Sequence, residues 1–411
     1  MNESKSGDVL HKSTVAGVLL RPFFIFACIF LTFPAFATND NSEFGRTSAQ
    51  ALVAGGQVAL LDEVIERYQL IDAAGGWPMP GEGPQLAAGM RHENVRILRK
   101  RLKQSGDYTA EMGADPLYFD GHIAAALESY QRNHGLPVSG ILGRLTRREL
   151  NIDVKQRINE LRQARDAWAA YDDLSVAPRL WINIPEATVA ALRNNQVELQ
   201  MRAVVGHPSR PTPVLSSTVK SVVVNPTWTV PRSIALQDLI PKQVMDEKYL
   251  HDRHIRVFKG RGDDELEVAP EKIDWPSMKR GNFPYYLRQD PGPFNSLGKL
   301  KFVFPNKYDV YLHDTPTRAL LGLSYRTISS GCVRVENPKI LASWVVGEGA
   351  EQSLNRFLEA EDYTPRTVRV ANDVPIELIY ITAWVSPANG VIQFRQDIYG
   401  LLDKAEQFAV Q

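Results

Sequence analysis

Two short alternating runs constrain this chain more than its overall composition does. In residues 308–313, Tyr308, Val310 and Leu312 share one face, as a strand would arrange them, and Thr315-Pro316 stops the run. Downstream, the small and flexible Ser329-Ser330-Gly331 leads into Cys332, and alternation resumes at Val333 and Val335. The spacing predicts two adjacent strand ends, with His313 on one and Cys332 on the other.

That pairing has a chemical reading. A thiol attacks a carbonyl as its thiolate, so a nucleophilic cysteine needs a base or cation beside it, and a neutral imidazole can take its proton. His313 is the nearest candidate in sequence. The competing reading is a small buried hydrophobe and an ordinary core histidine.

Export bears on the choice. Lys5, Lys12 and Arg21 precede an apolar run over residues 22–33, and Ala35-Phe36-Ala37 has the small-x-small form of a signal-peptidase site. Residues 1–37 therefore read as a signal peptide, or as an inner-membrane anchor if uncut. The other cysteine, Cys28, lies in this segment, so cleavage would leave Cys332 unpaired in an oxidising place. Lys plus Arg and Asp plus Glu each total 47, and this balance favours neither nucleic acid nor an anionic membrane. Any membrane contact is expected through the N-terminal segment alone.

His313-Asp314-Thr315-Pro316 followed by Ser329-Ser330-Gly331-Cys332-Val333-Arg334 resembles the L,D-transpeptidases of bacterial cell walls, specifically the large branch with a lid inserted in the catalytic domain. Further elements match that resemblance: Val205-Gly206-His207-Pro208, Thr212-Pro213 and Asn225-Pro226-Thr227-Trp228-Thr229-Val230-Pro231. A second block is similar to the small three-helix peptidoglycan-binding module: Tyr130-Gln131, Gly135-Leu136, Gly140-Ile141-Leu142-Gly143, Thr146 and Leu150-Asn151. Helix packing and turns explain most of these positions, so glycan binding by the module stays open.

The expected architecture is multidomain α+β. A scaffold segment over 44–90 precedes the module at 91–152, and a connecting helix covers 153–178. A mainly-β catalytic domain follows at 179–399, interrupted by a helical lid at about 232–293. Val95, Leu98 and Leu102 predict one helical face of the module, and Ile123, Leu127 and Tyr130 another, with Asp120 placed to cap the second. The Arg and Glu run of the connecting helix reads as a solvated face, as does Asp263-Asp264-Glu265. Trp77 reads as a packing anchor and His207 as a turn residue. His251 and His254 lack a metal-ligand signature, and no metal or cofactor is expected.

The resemblance implies that Cys332, assisted by His313, attacks the carbonyl of the third residue of a donor peptide stem and expels the terminal D-alanine. An amine of a neighbouring stem then resolves the thioester as a 3→3 cross-link. Gly331 and Cys332 amides are expected to face the oxyanion. The backbone carbonyl of Asp314, rather than its carboxylate, is the implied orienter of His313. Tyr311 and Arg334 share faces with His313 and Cys332 by alternation and, with Ser330 and Trp228, are candidate substrate contacts. The alternatives are a hydrolase using the same cysteine, either an L,D-carboxypeptidase or an enzyme that detaches wall proteins, and a non-catalytic wall-binding scaffold. Periplasm or cell wall is the expected location.

Overall fold

The chain alternates helices and strands in blocks. In a computed structural model, residues 54–110, 115–171, 177–194, 196–260, 262–278, 282–386 and 389–402 are described. The expected signal segment 1–37, with Cys28, lies outside them. The described residues all fall within one compact unit, Asn41–Gln411.

Helix α1, Ala54–Ala73, opens the scaffold. The module follows as α2 (Glu93–Ser105), α3 (Gly121–Asn133) and α4 (Arg144–Leu150). Asp120 accepts the Ile123 N–H at 2.9 Å and starts α3. Val95, Leu98, Leu102, Ile123, Leu127 and Tyr130 meet in one core. The fully buried Gln131 accepts from the Ser139 and Gly140 amides and donates to the Ile141 carbonyl and Thr146 hydroxyl. Those contacts satisfy the Gln, Gly and Thr positions of the motif internally, while the Tyr130 hydroxyl is buried without a partner.

Helix α5, Val154–Ala169, runs back to the scaffold. Its charged run is not simply solvated. Arg157 is buried, pairs with Glu149 of α4 and with Glu160, and lies 4.3 Å from the Phe394 ring centre. Glu265 also departs from the solvated reading, since it pairs with Arg288 at 2.7 Å and accepts from Tyr286. Trp77 packs edge-on to Tyr68 and donates to the Ile152 carbonyl.

The main sheet is built from β1 (Arg179–Asn183), β2 (Thr188–Arg193), β3 (Gln196–Gly206), β4 (Leu215–Val224), β9 (Leu300–Val303), β10 (Leu312–His313), β11 (Thr327–Ser329), β12 (Val333–Val335) and β13 (Arg366–Ile379). Their order is β11-β3-β12-β10-β9-β4-β13-β1-β2, and a further β2–β3 pairing closes the circuit. Closure leaves few free edges. Helices α7 (Pro338–Val346) and α8 (Glu348–Glu359) contribute Leu341, Val345 and Leu354 to its core. Trp181, between Leu180 and Ile182 on β1, faces a second core shared with α1, α5 and the hairpin β14 (Ala383–Val385) and β15 (Ile392–Phe394).

The insertion over 232–293 differs from a helical lid. Arg232–Ile234, a π turn at Ala235–Leu239 and α6 (Ile240–Met245) form its helical part. Pro241, which has no N–H to donate, lies two residues beyond that widened turn, in the first turn of α6. The centre is a four-stranded sheet ordered β5-β8-β6-β7, from β5 (Trp228–Thr229), β6 (Ile255–Lys259), β7 (Leu266–Val268) and β8 (Tyr285–Gln289). It has its own core around Leu250, Val257, Trp275 and Leu287. His254 stacks on Phe294 with ring centres 3.7 Å apart, at the base of the insertion.

Candidate active site

The strand expected over 308–313 is mostly a turn. Asn306 accepts from the Tyr308 and Val310 amides and donates to the Phe304 and Val310 carbonyls, so its side chain replaces ladder bonds. Asp309 takes φ 54°, which breaks the alternation, and Tyr308 is exposed while Val310 and Leu312 are buried. Only Leu312–His313 remains as β10.

That short strand is enough to place the chemistry. It runs parallel to β12, with Leu312 opposite Val333 and His313 opposite Arg334. It runs antiparallel to β9, with His313 opposite Lys301. Directly paired residues share a face, and alternation returns Tyr311 and Cys332 to it. Lys301, His313 and Arg334 thus form a row across three strands, and Tyr311 and Cys332 lie on the same face.

The contacts within this face are specific. His313 Nδ1 lies 2.5 Å from the Asp314 carbonyl oxygen, and the Leu297 carbonyl also meets the ring. A ring whose Nδ1 carries the proton toward a carbonyl leaves Nε2 as the acceptor. Among the described residues no hydrogen bond joins His313 to Cys332. The thiol points instead to the Asp309 carbonyl at 4.0 Å, with the Tyr311 amide and hydroxyl as donors to its sulfur. The Trp228 indole is within hydrogen-bonding reach of that same hydroxyl, so lid, phenol and sulfur form a chain.

Electrostatics set the resting state. Burial, then the charges of Arg334 and Lys301, push His313 down to about 3 despite its two carbonyl partners. Burial pushes the Cys332 thiol up, opposed by the Tyr311 donors and by Lys301 and Arg334. A neutral thiol thus rests near a neutral imidazole. Burial also lowers Arg334, whose Nε is buried without a partner.

The loop before Cys332 is tied by residues that the sequence marks only as motif or turn positions. Gly331 takes φ 114°. Ser329 Oγ donates to the Cys332 carbonyl at 2.6 Å and accepts the Gly331 N–H at 3.2 Å. Gly331, expected as an oxyanion donor, is therefore occupied by this internal bond; the Cys332 N–H meets no acceptor among the described residues. Buried Thr212 donates to the Gly331 carbonyl and accepts from the Gly206 amide, each at 2.8 Å. Ser330 is exposed and accepts from Arg210 at 3.1 Å; Arg210 also holds Asp238 and Gln237 in the π turn of the insertion.

Asp314 does two things. Its backbone carbonyl meets His313, while its carboxylate accepts from the Lys299 and Thr315 amides and pairs with Arg318 at 3.2 Å. Gly298, at φ 60°, lets the chain pass this close, since a Cβ there would sit 2.4 Å from Asp314 Oδ2. Adjacent lies a cavity of about 340 Å³ lined by Lys299, Asp314, Arg318 and Lys339. No cluster of His, Cys, Asp and Glu able to hold a metal occurs among the described residues.

The site falls within a recognisable domain. Residues 177–370 match the family model described as the L,D-transpeptidase catalytic domain, and residues 91–150 match "Putative peptidoglycan binding domain". A curated protein of Haemophilus influenzae named "Putative L,D-transpeptidase" is 38% identical over 223 residues, covering 54% of this chain and 44% of that protein. The match thus spans less than half the length of that relative. Among solved structures, L,D-transpeptidase 3 of Mycobacterium tuberculosis is 16% identical, with 49% of this chain and 60% of that one covered and a TM-score of 0.26. The L,D-transpeptidase of Xylanimonas cellulosilytica is 14% identical, with 72% and 98% covered and a TM-score of 0.23. On the family matches, residues 177–370 carry an L,D-transpeptidase catalytic domain and residues 91–150 a module of the peptidoglycan-binding family.

Proposed function

We propose that the protein cross-links cell-wall peptide stems 3→3 through a thioacyl intermediate on Cys332. The observation that carries this reading is the shared face of Cys332, Tyr311, His313 and Arg334 within the catalytic domain. Cys332 sulfur attacks the donor carbonyl as the thiol proton passes to His313 Nε2. The tetrahedral oxyanion meets the Cys332 amide. Its collapse breaks the bond to the terminal D-alanine, whose nitrogen takes the proton from His313. An acceptor amine then attacks the thioester, gives up a proton to the imidazole and releases the sulfur. Arg334, with its unpaired Nε, suits a substrate carboxylate. The partners are donor and acceptor stems of peptidoglycan. Glycan contact falls to the module, and the N-terminal segment directs export to the periplasm or wall.

Incubation with a defined tetrapeptide stem, read by mass, tests this. A cross-linked dimer supports the proposal, whereas tripeptide alone identifies a carboxypeptidase using the same cysteine. A carbapenem presents a strained carbonyl to the same sulfur, so an adduct is expected on wild type and lost in Cys332→Ala. Neither product nor adduct would leave a wall-binding scaffold.

A further inference from the structure

Lys301 is a half-buried cation inside the reactive face, with no part in the steps above. Its position follows from the ladder: β9 sets it directly opposite His313, which sits opposite Arg334 in turn. Its Nζ lies 3.9 Å from the centre of the Tyr311 ring, whose hydroxyl reaches the Cys332 sulfur. A lysine held over a phenol ring keeps its charge close without a carboxylate partner to neutralise it. Among the described residues Lys301 forms no salt bridge; burial lowers its ammonium below the usual lysine range, and Cys332 and then Asp309 favour its charge.

The row also shows what His313 is poorly placed to do. A nucleophilic thiolate needs a neighbouring positive charge, and an imidazolium often supplies it. Here the imidazole lies between two cations, buried, so charging it works against both neighbours. A neutral His313 can relay a proton during attack, but it is a poor standing counter-ion.

We infer that Lys301, with Arg334 on the far side, supplies the positive charge against which the Cys332 thiolate forms, and that His313 acts as a neutral proton relay. In forming the thiolate, the S–H bond breaks, sulfur keeps both electrons, and the proton leaves to solvent or through His313. The charged and titratable groups facing the sulfur are Tyr311 and Asp309 from the segment before β10, His313 from β10, Lys301 from β9 and Arg334 from β12; the insertion contributes the neutral Trp228 indole.

This rests on the reading of Cys332 as the nucleophile, but its test needs no cell-wall substrate. The rate of Cys332 alkylation by iodoacetamide, followed against pH in the full chain, reports thiolate formation. Lys301→Met keeps the aliphatic stem over Tyr311 and removes the charge. Its midpoint should rise by about one pH unit or more, a tenfold fall in rate at a fixed pH below the midpoint. Lys301→Arg should restore the midpoint, and His313→Asn should leave it in place while turnover is lost. An unmoved midpoint in Lys301→Met, or an equal rise in His313→Asn, overturns the inference. If Lys301→Met does not fold, as judged by circular dichroism, Lys301→Gln replaces it with the same criteria. A shifted midpoint with no cross-linked product would sink the transpeptidase reading and leave this one standing.

Discussion

His313 shows how much a single side chain's surroundings decide. Its ring is buried between Lys301 and Arg334, and its folded value of about 3 lies below the ordinary 6.5 of an exposed imidazole. Between those values the unfolded chain binds a proton that the folded chain refuses, so stability falls as pH drops from 6.5 toward 3. His134, buried against Tyr130 and Phe394, is depressed in the same direction. Thermal melts at successive pH values should therefore show a loss below neutrality that His313→Asn makes shallower, with the His134 share remaining. Per pH unit within that window, one such histidine contributes about 1.4 kcal/mol at most. A slope unchanged in the variant would mean that His313 is solvated and protonated in the folded protein. The shared face of Cys332, His313, Tyr311 and Arg334 was legible in the sequence because positions two apart near a strand end return to one side. The contacts of Lys301, Thr212, Ser329 and Arg210 were not, because each is set by a partner remote in sequence or by the path of a loop.

At the scale of elements, Arg210 links the insertion to the loop before Cys332. Arg210 spans from Ser330 to Gln237 and Asp238, and a planar guanidinium can hold both sides at once. Removing it should free the helical part of the insertion without touching the barrel-like sheet. Hydrogen exchange of residues 232–245 is expected to accelerate in Arg210→Ala, with β4 and β13 unchanged. Arg210→Lys should recover only part, since lysine lacks the fork; equal protection in wild type and Arg210→Ala would refute the latch. The lid was implied by the family resemblance, and the visible periodicity at Ile234, Leu239, Ile240 and Val244 suggests only a helix broken by Pro241. The strands Ile255–Lys259 and Tyr285–Gln289 are short, and their pairing crosses a long intervening segment. Local pattern cannot announce such a ladder.

Across the whole molecule, scaffold and catalytic domain share a core rather than a linker. Gln57 of α1 donates to the Val385 carbonyl at 3.0 Å and accepts its amide at 2.9 Å. Trp168 of α5 is 1% exposed and donates to the Ala383 carbonyl at 3.0 Å. Trp168→Ala should therefore cost about 3–5 kcal/mol and lower the melting temperature of the catalytic domain itself. Calorimetry on the full chain checks this; a catalytic transition at the wild-type temperature would show the scaffold to be independent. Arg157, read from sequence as solvated, belongs to the same junction, where Glu149, Glu160 and the Phe394 ring surround it.

Sequence alone determined the strand end at His313, the approach of Cys332 to the next strand and the three-helix module, because local periodicity, turn residues and caps act over a few positions. Tertiary structure alone decided that Lys301 joins His313 and Arg334 in one row, that the Gly331 amide turns to Ser329, and that the insertion centres on a sheet. Those outcomes depend on register between distant strands and on burial, and neither is written into any short stretch of chain.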